Sequence, residues 1–81
     1  MPLFKEALEV LEKNNLKITE RRVRMLDVLY SEERYLSAKE VKQFLKEEYP
    51  GISPDTIYRN LHTFSELMLL EETEISGEEC F

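Results

Sequence analysis

Apolar side chains recur every three to four residues in four separate stretches of this chain, and give way to alternation only near its end. Leu3, Phe4, Ala7, Leu8 and Leu11 form the first stripe, with Lys5, Glu6, Glu9 and Glu12 between them. This predicts an amphipathic helix over about 3–14, stopped by Asn14-Asn15, residues that tolerate a left-handed cap. Thr19 is placed to cap a second helix over about 20–31, with Glu20 in its positive first turn and Val23, Leu26, Leu29 and Tyr30 inward. The stretch "SEERYL" reads as a polar connection. Ser37-Ala38-Lys39-Glu40 then forms a capping box that opens a third helix over about 38–49. Val41, Phe44 and Leu45 face inward on it, and Pro50-Gly51 ends it.

Ser53-Pro54-Asp55 announces a fourth helix over about 54–69: a capping serine, a proline where no amide hydrogen is needed, and an acid on the dipole. Its inward stripe is Ile57, Leu61, Phe64 and Met68. Arg59 falls almost opposite that stripe, with Asp55, His62, Thr63 and Glu66 around it and Tyr58 on the flank. Burying Arg59 would expose Ile57 and Leu61, at a cost of roughly 1.5–3 kcal/mol each. In "LLEETEISGEECF", alternation around a Ser76-Gly77 turn predicts strands over about 70–75 and 78–81. The second strand has scarcely begun at Phe81, so the chain reads as a fragment of a longer protein. Mainly α with a small β-hairpin, this order is that of a winged helix-turn-helix. The third helix would support, the fourth would read, and Gly51 in the turn would supply permissive backbone angles.

Composition narrows the picture. Eighty-one residues make a single domain, residues 1–81, and 42% apolar with 35% charged side chains suits a globular rather than a disordered chain. No apolar run approaches the length that spans a membrane, and the N-terminus lacks the pattern of a signal peptide. The single cysteine, Cys80, excludes an internal disulfide and fits a reducing, cytoplasmic setting. The net charge of −6 is unevenly spread. Residues 1–70 carry 11 basic against 12 acidic side chains, a balance of −1, whereas residues 71–81 carry five glutamates and no base. Within the body, Lys17, Arg21, Arg22 and Arg24 stand against Glu20. A basic stripe on a near-neutral body suits a polyanion, although a charge run this short is commonly just a solvated helix face.

Candidate chemistry is sparse. No Gly-rich phosphate loop or nucleophile–base pair is present, so catalysis finds no support. His62 is the one histidine, and no second or third ligand stands at a sensible spacing from Cys80, so no metal site is expected in these residues. The glutamates of 71–79 alternate on a strand and are expected to point to opposite faces as a solvated wing. The expected role of His62 is on the surface, facing DNA with the reader helix.

Three segments carry a resemblance. "LKITERRVRMLDVLY", "LSAKEVKQFL" and "GISPDTIYRNL" are similar to the opening segment, third helix and signature reader of the ferric uptake regulator superfamily, bacterial metal-sensing repressors. The wording is closest to the zinc uptake regulators of Gram-positive bacteria. The resemblance implies that Tyr58 and Arg59 read bases, that Lys17 reaches toward the minor groove, and that Arg22 lies near the phosphate backbone. Arginine can bind guanine O6 and N7 bidentately and a tyrosine ring can pack on a thymine methyl, so these roles agree with the residues' own chemistry. Thr19, Arg21, Asp55 and His62 complete the candidate DNA-binding set. Arg21 departs from the family pattern, in which many members have proline.

The resemblance further implies a double-stranded, AT-rich palindromic operator as partner, and a homodimeric parent that uses zinc or iron. The sensing histidines, structural zinc site and dimerisation domain would lie beyond Phe81, which leaves this fragment monomeric and without a metal. A second reading stays open: a winged-helix protein–protein interaction module without DNA binding, for which a pI of about 4.8 is the best support.

Overall fold

The computed structural model describes residues 2–81. Its elements run α1 (Phe4–Lys13), α2 (Glu20–Ser31), α3 (Ala38–Leu45), α4 (Pro54–Glu66), β1 (Thr73–Ile75) and β2 (Glu78–Cys80). Each helix after the first starts where its cap demands. The Arg22 amide donates to Thr19 Oγ1 at 3.2 Å, and the Thr56 amide donates to Ser53 Oγ at 3.1 Å. Ser37 and Glu40 close the capping box reciprocally, at 3.2 Å and 3.1 Å.

Helix ends are less obvious from composition. Both α1 and α4 stop in the same way, with a left-handed residue followed by a buried or half-buried leucine. After α1, Asn15 has φ 59°, its amide donates to the Glu12 carbonyl, and the Leu16 amide reaches back to Leu11. After α4, Met68 has φ 62°, its amide donates to the Ser65 carbonyl, and the Leu69 amide reaches back to Phe64. This double reach satisfies carbonyls that a helix terminus leaves open. The pattern corrects the expected span of 54–69: α4 ends at Glu66. Met68 is not on the inward stripe but 83% exposed, because the left-handed turn swings it outward.

Other inward assignments change for similar reasons. α3 ends at Leu45 rather than at 49: residues 46–48 continue as turn, with the Lys46 amide reaching only to Gln43 and the Tyr49 amide to the Leu45 carbonyl. Phe44 is exposed, leaving Val41 and Leu45 as the buried face of a helix only eight residues long. Leu3 lies outside α1 and is 72% exposed. α2 packs against both α1 and α3, so its buried face is wider than predicted. Met25 and Val28 join Leu26 and Leu29, while Val23 and Tyr30 are half-buried. Gly51 has no left-handed angle, and a Cβ there would meet open space, so the turn does not need its freedom.

The wing pairs antiparallel, with Thr73 opposite Cys80, Glu74 opposite Glu79 and Ile75 opposite Glu78. Ser76 and Gly77 take φ 53° and 80°, the two positive angles of a type I′ turn. The strands are shorter than expected, but the hairpin has a third neighbour. Leu36 and Phe81 exchange two backbone hydrogen bonds of 2.8 Å, so β2 is joined to the segment just before α3. The stretch read as a polar connection therefore buries Leu36 completely. Cys80 is buried there as well. The core fills the space between these elements, with Leu11, Leu26, Leu45, Leu61 and Phe64 fully enclosed.

Three measurements test this account. Ser37→Ala should destabilise by about 0.5–2 kcal/mol, the range for losing a helix cap. Gly51→Ala should be neutral or stabilise by up to about 1 kcal/mol, whereas Gly77→Ala should destabilise, both read by chemical denaturation. The third concerns pH. Glu40 is held below its ordinary value of 4.5, first by the Arg34 guanidinium and then by the Ser37 amide. A depressed carboxylate stabilises fully above its unfolded value and loses that effect as pH falls through the folded one. Wild type should therefore exceed Glu40→Gln in thermal stability near neutrality, and the gap should close below about pH 4.5.

Candidate nucleic-acid interface

Ile57, Leu61 and Phe64 are fully buried, and at about 100° per residue they turn the opposite side of α4 to solvent. Arg59 stands at the centre of that outer face, its side chain 79% exposed. Its contact is an ion pair of 2.9 Å to Asp55, one turn earlier on the same helix. Exposed pairs of this kind hold little free energy, so the guanidinium remains available to another anion.

The two flanks of α4 are treated differently. On one side, Asn60 Nδ2–H donates to the Thr56 carbonyl at 2.9 Å and its Oδ1 accepts from Arg22 Nε at 3.1 Å. Arg22 also donates from Nη1 to the Lys17 carbonyl at 2.7 Å. One guanidinium thus fastens the entry to α2 onto α4. Lys17, Thr19, Arg21 and Arg22 line an open groove there with Thr56 and Asn60. Lys17 is exposed, Thr19 is committed to its cap, and Arg21 lies over the Tyr49 ring at 5.8 Å.

On the other side stand Tyr58 and His62. The Tyr58 ring is 38% exposed and meets the His62 ring edge-on at 4.4 Å and the Phe81 ring at 6.5 Å. Its hydroxyl donates to Glu79 Oε2 at 2.7 Å. That hydrogen bond raises the Tyr58 pKa and is the first cause of a lowered Glu79 pKa. His62 Nε2 lies 3.2 Å from the same oxygen and 3.6 Å from Glu72 Oε1. The Glu79 carboxylate, with which Glu72 can hydrogen-bond only when protonated, holds the Glu72 pKa up.

The predicted residues therefore gather around α4 but in distinct states. Arg59 projects as expected, while Tyr58 does not stand free beside it: its hydroxyl is engaged by the wing. His62 faces the wing rather than open solvent. The expectation that the wing glutamates point apart holds for neighbours in sequence and fails across the hairpin. Glu72 and Glu79 lie on diagonal positions of one face and converge on His62. Asn60 was missed altogether, and its polar character at a helix flank beside a basic entry was the available signal.

A helix-turn-helix whose second helix turns an arginine outward, followed by a two-stranded wing, defines a winged-helix protein. Residues 13–81 match the Ferric uptake regulator family, and the chain belongs to that family. It is a family of regulators, consistent with the lack of support for catalysis in the sequence. The chain is 49% identical over 76 residues to the ferric uptake regulation protein of Staphylococcus aureus, covering 94% of this chain and 56% of the relative. The Staphylococcus epidermidis protein of the same name is also 49% identical, with 55% of its length covered. The chain thus spans little more than half the length of the curated relatives it matches.

Among solved structures, PerR from Streptococcus pyogenes superposes with a TM-score of 0.88 at 23% identity, over 99% of this chain and 56% of that one, which supports the fold. The ferric uptake regulator from Pseudomonas aeruginosa, solved with manganese, gives 0.76 at 31% identity, over 93% of this chain and 57% of that one. No helix among the described residues is long and apolar enough to cross a membrane.

The Arg22–Asn60 bridge makes a testable claim. In a double-mutant cycle with Arg22→Ala and Asn60→Ala, unfolding in denaturant should give a coupling of about 1 kcal/mol. The exposed Arg59–Asp55 pair, treated in the same way, should give much less.

Proposed function

We propose that this chain is the DNA-binding part of a metal-responsive transcriptional repressor, and that α4 enters the major groove of its operator. The observation that carries the reading is the exposed Arg59, held at the centre of the outer face of α4 by the burial of Ile57, Leu61 and Phe64. Arg59 reads a guanine edge after exchanging Asp55 for the base, and the Tyr58 ring packs on a thymine methyl. Lys17 and Arg21 meet phosphates or the neighbouring minor groove, contacts that set orientation rather than sequence. Arg22 acts chiefly by positioning, since two of its nitrogens are already engaged within the fold.

The partner is double-stranded DNA with an AT-rich, near-palindromic operator, bound by a dimer of the whole regulator in the cytoplasm. The metal-sensing and pairing functions are assigned to the part of the relatives' length that this chain does not match. The curated relatives are named for iron, so iron stands beside zinc as the metal, and genes of metal uptake as the target. A single domain binds weakly because it lacks the avidity of two joined half-site contacts.

A second reading has one observation in its favour. The five glutamates of residues 71–81 place negative charge beside α4, which favours a basic protein partner over DNA. Titration against an operator half-site at several salt concentrations separates the two. With about two phosphate contacts, log affinity should fall against log salt with a slope near −2. Arg59→Ala should cost about 1–3 kcal/mol and relax preference at one base position, whereas Lys17→Ala should shallow the slope by about one. Equal affinity of wild type and Arg59→Ala would remove the reading mechanism, and no binding even at low salt would favour the protein partner.

A further inference from the structure

We propose that His62, Glu72 and Glu79 form a site for one borderline divalent cation, of the zinc, cobalt or ferrous type, which staples the wing to α4. One imidazole nitrogen and two carboxylate oxygens, from three different segments of chain, lie within 4.8 Å of one another. Zinc bonds of about 2.0–2.2 Å at tetrahedral angles place neighbouring ligand atoms roughly 3.3–3.5 Å apart. The nitrogen–oxygen separations here are 3.2 Å and 3.6 Å, so a metal ion fits with small side-chain movements. Two carboxylates and a water or further ligand would complete the coordination begun by the imidazole.

Charge supplies an independent argument. Among the described residues, neither Glu72 nor Glu79 has a lysine or arginine within ion-pair distance. Glu71, Glu74 and Glu78 add to the negative field of the wing. A protonated imidazole offers at most one positive charge against two carboxylates, while a dication balances both. A mixed nitrogen and oxygen set favours borderline transition metals over magnesium or calcium, which take oxygen ligands.

The thiol nearby is not a competing ligand. Cys80 is buried, its side chain is engaged with the Glu78 carbonyl, and its sulfur does not join the His62, Glu72 and Glu79 ligand atoms. Tyr58 instead forms an outer layer. Its hydroxyl donates to the same Glu79 oxygen that faces His62, so it orients the ligand as outer partners of metal sites do. Occupancy of the site would therefore hold Tyr58 against the wing. The inference stands on this cluster alone and does not depend on DNA being the partner.

The test is titration of the 81-residue chain with zinc chloride by calorimetry, with cobalt chloride absorption as a second readout. Wild type should bind one equivalent of zinc, and His62→Ala and Glu79→Gln should each weaken binding by at least about tenfold. Glu74→Gln removes the same charge from the same hairpin face without removing a ligand, and should weaken binding far less than either ligand variant. Zinc should raise the melting temperature of wild type and Glu74→Gln, and not that of the two ligand variants. The site is overturned if wild type takes up no zinc, if binding survives in His62→Ala and Glu79→Gln, or if Glu74→Gln loses it equally. A cobalt–thiolate band would also overturn it by transferring the ligand role to Cys80.

Discussion

The rotation of α4 about its own axis is the constraint on which the remaining arrangement depends. Ile57, Leu61 and Phe64 lie within a narrow sector of the helix and are all fully enclosed, so turning the helix would expose side chains worth several kcal/mol in total. With that angle set, Arg59 has one direction available, and the two flanks fall where polar anchors can reach them. Arg22 takes one flank through Asn60, and the wing takes the other through Tyr58 and His62. A hydrophobic face thus sets the geometry, and polar contacts narrow it further.

The polar anchors also explain how a chain of net charge −6 can keep a basic surface. Lys17, Arg21 and Arg22 gather on the flank that faces α2, whereas the glutamates of residues 71–81 are carried on and beside the hairpin. The helix separates the two fields. Arg59, between them, is balanced by Asp55 within its own helix, so the outer face is locally neutral until an anion displaces that carboxylate.

Much of this was legible in the order of residues, and its limits have physical causes. Caps at Thr19, Ser37 and Ser53 were readable because a short polar side chain at a helix start has few alternative uses. The end of α4 was not, since the left-handed residue is a methionine and nothing in its side chain announces that angle. Phe44 was misplaced because a short helix buries only a narrow stripe. Arg59 followed from periodicity alone. Asn60 and the meeting of Glu72 with Glu79 did not, since they depend on which turn closes the hairpin and where the hairpin lies against α4. The resemblance to the ferric uptake regulators, carried by three short segments, agrees with the family to which the chain belongs.

The hydrogen bond from Tyr58 to Glu79 has a further consequence for how this surface meets any partner. A tyrosine already locked in one rotamer before encounter has little torsional freedom left to lose on association, a loss of about 0.5–1.5 kcal/mol for a loose side chain. Arg59, tethered only by an exposed pair, keeps most of its own. The outer side of α4 therefore sets a fastened aromatic ring beside a loosely tethered cation, so that in the proposed encounter with DNA the first would give the approach its shape and the second would adjust after contact.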